Sequence, residues 1–360
     1  MREVNFRLPA GGRQGFWGKL KKPIMALAPM ADVTDAAYRR IIAAHGKPDV
    51  MFTEFVSADG LILADKRGKA HLKNDLIFTD AERPIVAQFF SGKPEMIEGA
   101  AKLACDLGFD GVDINMGCPD RGIEQQGAGA ALIKNPKLAM ELIAAAKRGA
   151  GPLPISVKTR VGYNKVELDT WIPALLETDL AAISIHARTR KEMSRVPARW
   201  DHVKDAVAWR DKLGKKTLIL GNGDLVNLED ARRRIKETGA DGAMFGRAIF
   251  GNPRLFADNN NKKTKSTTSL NSQVYENVVE IKKRLGVLLE HTELFEKLLG
   301  DVKNFSVMKK HYKAYVAGWD GARELRSKLM ETENAKEVEE IISEYLSPHL
   351  PEYPTAEPRG

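Results

Sequence analysis

The chain has 360 residues, of which 43% are hydrophobic and 29% are charged, and its two cysteines are Cys105 and Cys118. This composition excludes a globally disordered chain, and two cysteines are too few for a disulfide framework or a cysteine-based metal site. The formal net charge of +8 fits a polyanionic partner, but it also fits a merely basic surface. Since no apolar stretch is long enough to span a bilayer, we expect a cytoplasmic protein without a membrane partner.

The first 257 residues repeat one pattern, a short β-rich apolar run followed by a longer helical run. The runs that predict strands are Ile24–Ala28, Val50–Thr53, Pro84–Phe90, Gly111–Asn115, Pro154–Lys158, Ala182–His186, Thr217–Gly221 and Gly242–Phe245. The helical segments between them include Thr34–Ala44, Pro94–Leu107, Pro136–Arg148, Val166–Glu177 and Leu228–Thr238. This order predicts an α/β fold of the (β/α)₈ TIM-barrel class over 1–257, with a doubly wound open sheet as the alternative.

The pattern changes after Pro253. A stretch rich in Asn, Lys, Thr and Ser predicts a linker or loop over 258–271. Helices alone follow, the first with apolar residues three and four apart at Val274, Val278, Ile281, Leu285 and Leu288. Further helical segments are Val302–Val316, Gly321–Met330 and Ala335–Leu346. The sequence predicts a small C-terminal helical bundle over 272–350, basic in its first part and acidic in its last, and a tail over 351–360.

Two turns carry the strongest chemical signal of the barrel. Gly221–Asp224 follows the seventh predicted strand, and Gly246 and Arg247 follow the eighth. Glycines there let backbone N–H groups approach a phosphate, Arg247 can add positive charge, and this is the usual phosphate location in the fold. The turns predict a phosphate-bearing cofactor, against the alternative of two ordinary connections.

Two cationic or hydrogen-bonding side chains end neighbouring predicted strands. Lys158 ends the fifth strand and His186 ends the sixth. A reduced flavin gathers negative charge at its N1/O2 edge, so the pair suits an isoalloxazine ring, and Gln88 can bond the pyrimidine edge. The alternatives are a Schiff-base or surface lysine and a core histidine.

Cys118 lies in the run Asn115-Met116-Gly117-Cys118-Pro119, just past the fourth predicted strand. A thiol at that place can be a nucleophile, a general acid or a bystander. Cys105, inside a predicted helix, is expected to be a buried core residue.

Several stretches resemble, in chain order, the motifs of the dihydrouridine synthases. They are APMADVTDAAYRR, TEFVSADGL, VAQFF, GVDINMGCPDRG with GAGAAL, VKTRVGY, ISIHARTR, LILGNGDL and GAMFGRA. The resemblance runs from Ala28 to about Phe256, and Met308–Leu329 resembles the helical C-terminal domain of that family.

The resemblance implies an oxidoreductase that reduces the 5,6 double bond of a uridine in tRNA, with FMN as cofactor and NADPH as hydride donor. Cys118 would be the general acid, giving a proton to uracil C5 while the flavin delivers hydride to C6. The residues implied to hold FMN are Pro29, Met30, Ala31, Gln88, Lys158, His186, Asn222, Gly223, Asp224, Gly246 and Arg247. Those implied to contact the uridine or its phosphates are Asn115, Arg160 and Arg190. No obligate protein partner is implied, so we expect a monomer.

Two segments depart from the family pattern. Ala187 stands where the family usually has glycine, and the run Arg121–Gln126 after the cysteine is unusual.

The rival interpretations are an FMN barrel that reduces a small molecule, as a dihydroorotate dehydrogenase or an ene-reductase does, and a tRNA-binding protein without chemistry. The basic helical extension argues against the first, and the intact set of Cys118, Lys158 and His186 argues against the second.

Overall fold

The computed structural model describes residues 14–257 and 270–347, with the side chains of the second range described from 278 onward. Within these residues the chain divides into two compact units: a barrel unit of 14–249 with 253–257, and a helical unit of 250–252 with 270–347. The predicted linker over 258–271 lies almost wholly outside the described residues, and the predicted tail over 351–360 lies entirely outside them.

The barrel unit is built on eight parallel strands that form one sheet in the order β1-β8-β7-β6-β5-β4-β3-β2. Their bounds are β1 (Ile24–Leu27), β2 (Met51–Ser57), β3 (Ile85–Phe90), β4 (Gly111–Met116), β5 (Ile155–Arg160), β6 (Ala182–His186), β7 (Leu218–Asn222) and β8 (Gly242–Phe245). The gap between the first and last strands of this order, β1 and β2, is bridged where Ala26 pairs with Val50. There the Leu27 N–H donates to the Val50 carbonyl at 3.0 Å. The predicted TIM barrel is confirmed.

Helices follow the strands. They are α1 (Ala36–Gly46), α2 (Ala58–Leu63), α3 (Lys66–Asn74), α4 (Pro94–Asp106), α5 (Arg121–Gln125), α6 (Pro136–Ala150), α7 (Leu168–Glu177), α8 (Asp201–Lys212) and α9 (Leu228–Thr238). Local chemistry explains several starts: the Asp35 carboxylate caps α1, and a proline opens both α4 and α6. Cys105 on α4 is half-buried, so the expectation of a fully buried core cysteine is wrong.

Four helices of the barrel unit, α2, α3, α5 and α8, were not predicted from the sequence. Two of them, α2 and α5, have only six and five residues, too few for a helical period to show. The helix α3 has no buried residue and α8 has only three, so neither carries a full apolar stripe.

The barrel interior is apolar at the N-terminal ends of the strands. Phe52, Val86 and Leu218 belong to one buried cluster. Trp17, from a short 3₁₀ helix, belongs to the same cluster, with its ring centroid 6.3 Å from that of Phe52 and 1% of its surface exposed. Because this end is filled, the polar side chains of the interior gather at the C-terminal ends.

The helical unit contains α10 (Leu270–Leu299), α11 (Met308–Tyr315), α12 (Ala322–Leu329) and α13 (Ala335–Leu346). Its core includes Leu285, Leu288, Phe295 and Leu325. The segment predicted as one helix over Val302–Val316 is helical only from Met308, after a 3₁₀ turn in which the Asn304 side chain accepts from the Ser306 N–H. Among the described helices, none has the length and apolar character needed to cross a membrane.

Candidate functional site

A cavity of about 600 Å³ opens at the C-terminal ends of the barrel strands. The predicted cofactor residues that line it are Pro29, Met30, Lys158, His186, Asn222, Gly223, Asp224, Gly246 and Arg247. Ala31 and Gln88 are not part of the lining. A larger hollow, of about 730 Å³, lies beside the 3₁₀ helix of Trp17 at the opposite end of the barrel. We place the site in the smaller cavity because the predicted polar groups converge there.

The turn after β7 requires glycine. Gly223 has a φ of +125°, and a Cβ atom on it would lie 2.8 Å from the Cβ of Ala198 and 3.2 Å from Cδ2 of His186. The Gly223 carbonyl accepts a hydrogen bond of 2.9 Å from the indole N–H of Trp200. The backbone therefore forms the wall of the cavity here, and a side chain would fill the space beside the His186 ring.

Asp224 orients two arginines at the cavity mouth. Its Oδ1 accepts from Arg247 at 2.8 Å, and its Oδ2 accepts from Arg188 and from the Ala198 N–H. Burial alone raises the pKa of Asp224, but the hydrogen bonds from Arg188 and Ala198 hold this pKa below its ordinary value. The Arg247 side chain is 68% exposed. Sequence reasoning did not include Arg188 among the cofactor residues.

The same Arg188 fixes the tautomer of His186. One of its guanidinium nitrogens lies 2.9 Å from Nε2 of His186. A guanidinium only donates, so Nε2 accepts and the proton of the neutral ring is on Nδ1. Burial, together with the positive charges of Arg160, Lys158 and Arg188, strongly lowers the pKa of His186. His186 is therefore a neutral hydrogen-bond donor through Nδ1.

Lys158 lies at the centre of the site. Its Nζ is 3.4 Å from Oδ1 of Asn222. Desolvation of the ammonium group and the charge of Arg160 lower the pKa of Lys158 to about 8. The side chain therefore still carries its charge at neutral pH.

The loop of Cys118 is held by hydrogen bonds on both sides of the thiol. The Asn115 Oδ1 accepts from the N–H groups of Gly117 at 3.1 Å and of Cys118 at 2.9 Å. Arg160 donates from Nε to the Gly117 carbonyl at 2.7 Å, and the Ala130 N–H donates to the Cys118 carbonyl at 2.9 Å. Burial raises the pKa of the Cys118 thiol, so this group keeps its proton at neutral pH.

The residues predicted to contact the substrate form hydrogen bonds or ion pairs with other residues of the protein. Arg160 is 7% exposed and donates from one guanidinium nitrogen to the carbonyls of Thr189, at 3.3 Å, and Met193, at 3.2 Å. Arg190 pairs with Glu124 of α5. The amide nitrogen of Asn115 donates to Gln88, which lies below the cavity.

Sequence reasoning also missed Asp113 and Glu124, which contact Gln88 and Arg190 respectively. A charged residue inside the apolar run of β4 was the signal that could have revealed Asp113.

The fold and the site define a (β/α)₈-barrel protein with a cationic, glycine-lined cavity at its mouth and a thiol, that of Cys118, on a hydrogen-bonded loop at the end of β4. Residues 26–348 match the family model described as dihydrouridine synthase (Dus). The chain belongs to this family, and it is therefore an enzyme of the oxidoreductase class.

Curated relatives match over nearly their whole length. A probable tRNA-dihydrouridine synthase of Staphylococcus epidermidis is 37% identical, over 92% of this chain and 97% of that protein. The probable tRNA-dihydrouridine synthase 2 of Bacillus subtilis is also 37% identical, over 94% of this chain and 98% of that protein. A solved structure of morphinone reductase with tetrahydroNAD is 15% identical, with a TM-score of 0.47 over 68% of this chain and 89% of that chain.

Proposed function

We propose that this chain reduces the 5,6 double bond of a uridine in tRNA to dihydrouridine, with FMN as cofactor, NADPH as hydride donor and Cys118 as general acid. Family membership supports uridine reduction in tRNA. The observation that carries the assignment of the acid is the Cys118 loop, which holds a protonated thiol in a fixed place near Lys158 and Arg160. The enzyme acts as a monomer in the cytoplasm.

FMN suits the cavity in size and in chemistry. A volume of about 600 Å³ lies within the usual range for cofactor pockets. A Cβ atom at Gly223 would fill the space beside the His186 ring, so the glycine leaves room for a ligand against the backbone. Gly223, Gly246 and Arg247 would hold the phosphate, in keeping with the usual phosphate site of the fold.

The other cofactor residues would hold the ring system. Lys158 would face the N1/O2 edge, where positive charge stabilises the reduced form, and neutral His186 would donate from Nδ1. The remaining contacts would come from Pro29, Met30, Ala31, Asn222 and Asp224. When bound, FMN supplies the hydride that uracil C6 receives.

Cys118 supplies the proton. Uracil accepts hydride poorly unless the developing enolate is protonated and its oxygens are held, which requires a positioned acid and nearby donors. A raised pKa keeps the Cys118 proton available at neutral pH. Asn115, Arg160 and Arg190 would hold the uridine or its phosphates through donors that their protein contacts leave free.

The target base has to leave its stack to reach a cavity of this kind, and leaving is easiest in a strained tRNA loop. Contacts to phosphates position such a substrate without reading its sequence. In the helical unit, Lys313 of α11 and Arg323 of α12 are exposed and Lys309 of α11 is half-buried, and these cations suit this role.

The decisive experiment is a flavin half-reaction. The purified protein is reduced with NADPH under anaerobic conditions, and an unmodified tRNA transcript is then added while flavin absorbance is followed. We expect FMN in the protein, reoxidation driven by tRNA, and dihydrouridine in the recovered RNA. The proposal fails if the flavin is FAD, if no flavin binds, or if a small enone or orotate reoxidises the flavin while tRNA does not.

A further inference from the structure

A carboxylate is completely buried in the barrel wall beneath the site. Asp113 of β4 is 0% exposed and stands in register with Gln88 of β3 and Ser156 of β5. Its Oδ1 accepts from the Ser156 hydroxyl at 2.6 Å and its Oδ2 accepts from Nε2 of Gln88 at 2.6 Å. The backbone N–H of Lys158 donates to the same carboxylate. Burial of a charge is costly unless the charge is hydrogen-bonded, and here three donors converge on it.

These hydrogen bonds continue to the Cys118 loop. Gln88 accepts at Oε1 from Nδ2 of Asn115 at 3.2 Å, and Asn115 accepts at Oδ1 from the N–H groups of Gly117 and Cys118. Both ends of this series have a fixed polarity, because backbone N–H groups only donate and a carboxylate only accepts. The two amide side chains between these ends can satisfy both only in the orientation that the structure has.

We propose that Asp113 is a positioning residue for Cys118, which sets the amide orientations of Gln88 and Asn115 and through them holds the backbone that carries the thiol. The connection to catalysis rests on the proposed function, in which Cys118 donates the proton. The geometric role of Asp113 does not depend on it.

Ionisation of the carboxylate is part of this role. Burial raises the pKa of Asp113 to about 6, while hydrogen bonds from Ser156 and Gln88 oppose the rise. At neutral pH the group is therefore an acceptor with no proton of its own. An asparagine at position 113 would have the same shape, but only one oxygen to serve three donors. Its amino group would face another donor and favour the reversed orientation of Gln88.

The test is the alkylation rate of Cys118 in Asp113→Asn, measured with iodoacetamide by mass spectrometry in the presence of saturating FMN. We expect an increase of about tenfold, equivalent to ~1.4 kcal/mol, because the hydrogen bonds that order the loop backbone are weakened. Cys105, half-buried on α4, is the internal reference, because general loosening of the fold would speed both thiols. Ser156→Ala is the matched control, since it removes one donor without reversing any amide, and it should leave the Cys118 rate unchanged.

Two further variants distinguish the effect of the amide orientation from a general disturbance of the structure by the substitution. In the double variant Asp113→Asn/Gln88→Glu, the asparagine amino group can donate to the new carboxylate, which still accepts from Asn115, so the slow Cys118 rate should return. Gln88→Met interrupts the series without changing Asp113, and it should speed Cys118 alkylation even if Asp113→Asn does not fold.

An unchanged Cys118 rate in a folded Asp113→Asn protein overturns the proposal. So does an equal rise at Cys105, a failure of the double variant to restore the slow rate, or an unchanged rate in Gln88→Met. Alkylation needs no tRNA, so this result does not depend on the proposed reduction of uridine. If wild-type flavin is not reoxidised by tRNA while the alkylation pattern holds, the function fails and the positioning role stands.

Discussion

Glu124 and Arg190 form a bidentate ion pair that links the segment after Cys118 to the loop after β6. Nε of Arg190 lies 2.9 Å from Oε1 of Glu124, and a second guanidinium nitrogen bonds Oε2. The Glu124 side chain is 10% exposed and the Arg190 side chain is 25% exposed. The Arg190 guanidinium also lies 5.4 Å from the ring centroid of Tyr163. The run Arg121–Gln126 thus supplies the partner of a proposed substrate residue.

Because the two charges of this ion pair are buried to different extents, we expect their single replacements to lower the free energy of unfolding by different amounts. Arg190→Ala leaves the more buried charge, that of Glu124, without its partner and should lower the free energy of unfolding by about 2 kcal/mol, between the values for exposed and buried pairs. Glu124→Ala should cost only about 1 kcal/mol, because Arg190 can turn toward solvent. Urea denaturation of both single variants and of the double variant checks this. Additive losses in the double variant would show that the pair contributes no coupling energy.

Arg247→Ala should weaken FMN binding by about 10- to 100-fold, the loss expected for a charged hydrogen-bond partner of a phosphate. Equilibrium dialysis of the apoprotein with FMN measures the change. Lys236→Ala on α9 is the matched control, because this exposed cation does not line the cavity. Equal affinity in Arg247→Ala and the control would place the phosphate elsewhere.

Cys118→Ala should retain the FMN spectrum and the NADPH half-reaction, because no acid is needed to reduce the flavin. Its reoxidation by tRNA should slow by about 10²- to 10⁴-fold, the usual contribution of a positioned acid. Cys118→Ser should retain slight activity, and Cys105→Ala should react like the wild type. Single-turnover flavin oxidation by tRNA makes the comparison, and an equal rate in Cys118→Ala would remove the thiol from the mechanism.

The pH profile of the same step is a second check on Cys118, whose pKa burial raises above its ordinary value. The acid must be protonated to act, so the rate of tRNA-driven reoxidation should stay level through neutral pH and fall only in the alkaline range. A decline that begins below pH 7 would mean that the thiol is ionised there. Single-turnover oxidation across the pH range, measured in wild type and Cys118→Ser, distinguishes the two outcomes.

Neutralising cations of the helical unit should flatten the salt dependence of tRNA binding. The candidates from the sequence are Lys309, Lys310, Lys313, Arg323 and Arg326. Removal of each phosphate-binding cation should reduce the slope of log affinity against log salt by about one. Arg326 is half-buried and donates to the Val316 carbonyl at 3.0 Å, so its replacement should also lower stability. Filter binding over a salt series measures the slope, with Lys336→Gln, on the acidic helix α13, as the control.

Two buried histidines should make the helical unit sensitive to acid. The His291 and His311 ring centroids are 4.6 Å apart. Burial lowers the pKa of His311 to about 3, and burial with the neighbouring His311 lowers the pKa of His291 well below its ordinary value. Below about pH 6.5 the two histidines bind protons in the unfolded chain but not in the folded chain. The free energy of unfolding is therefore highest above that pH and falls as the pH decreases. The loss between pH 7.5 and 5.5 should reach up to ~3 kcal/mol.

Hydrogen exchange of α10 and α11 in the intact chain measures this loss. His311→Gln should remove about half of the pH dependence, whereas His71→Gln on the exposed helix α3 should leave it unchanged. Equal pH dependence in the two variants would show that the buried pair is not responsible.

The strands could be predicted from the sequence because each is a short, apolar, β-rich run between turn signals, and their repeated order with helices admits few topologies. Once the barrel was predicted, the strand ends located Lys158, His186 and the glycine turns, since the fold gathers these ends at one face. The positions of α3 and α8 could not be predicted, because helices that bury few side chains show little hydrophobic periodicity in their sequence.

What the sequence determined by itself is therefore the barrel, the helical extension and the location of the thiol. Only the tertiary structure decided which groups meet: Asp113 with Gln88 and Ser156 across three strands, Arg188 with Asp224, and Arg190 with Glu124, 66 residues away in the chain. Periodicity records whether a side chain faces inward or outward. The partner of a polar side chain depends instead on strand register and loop geometry, which the packing of the whole barrel sets.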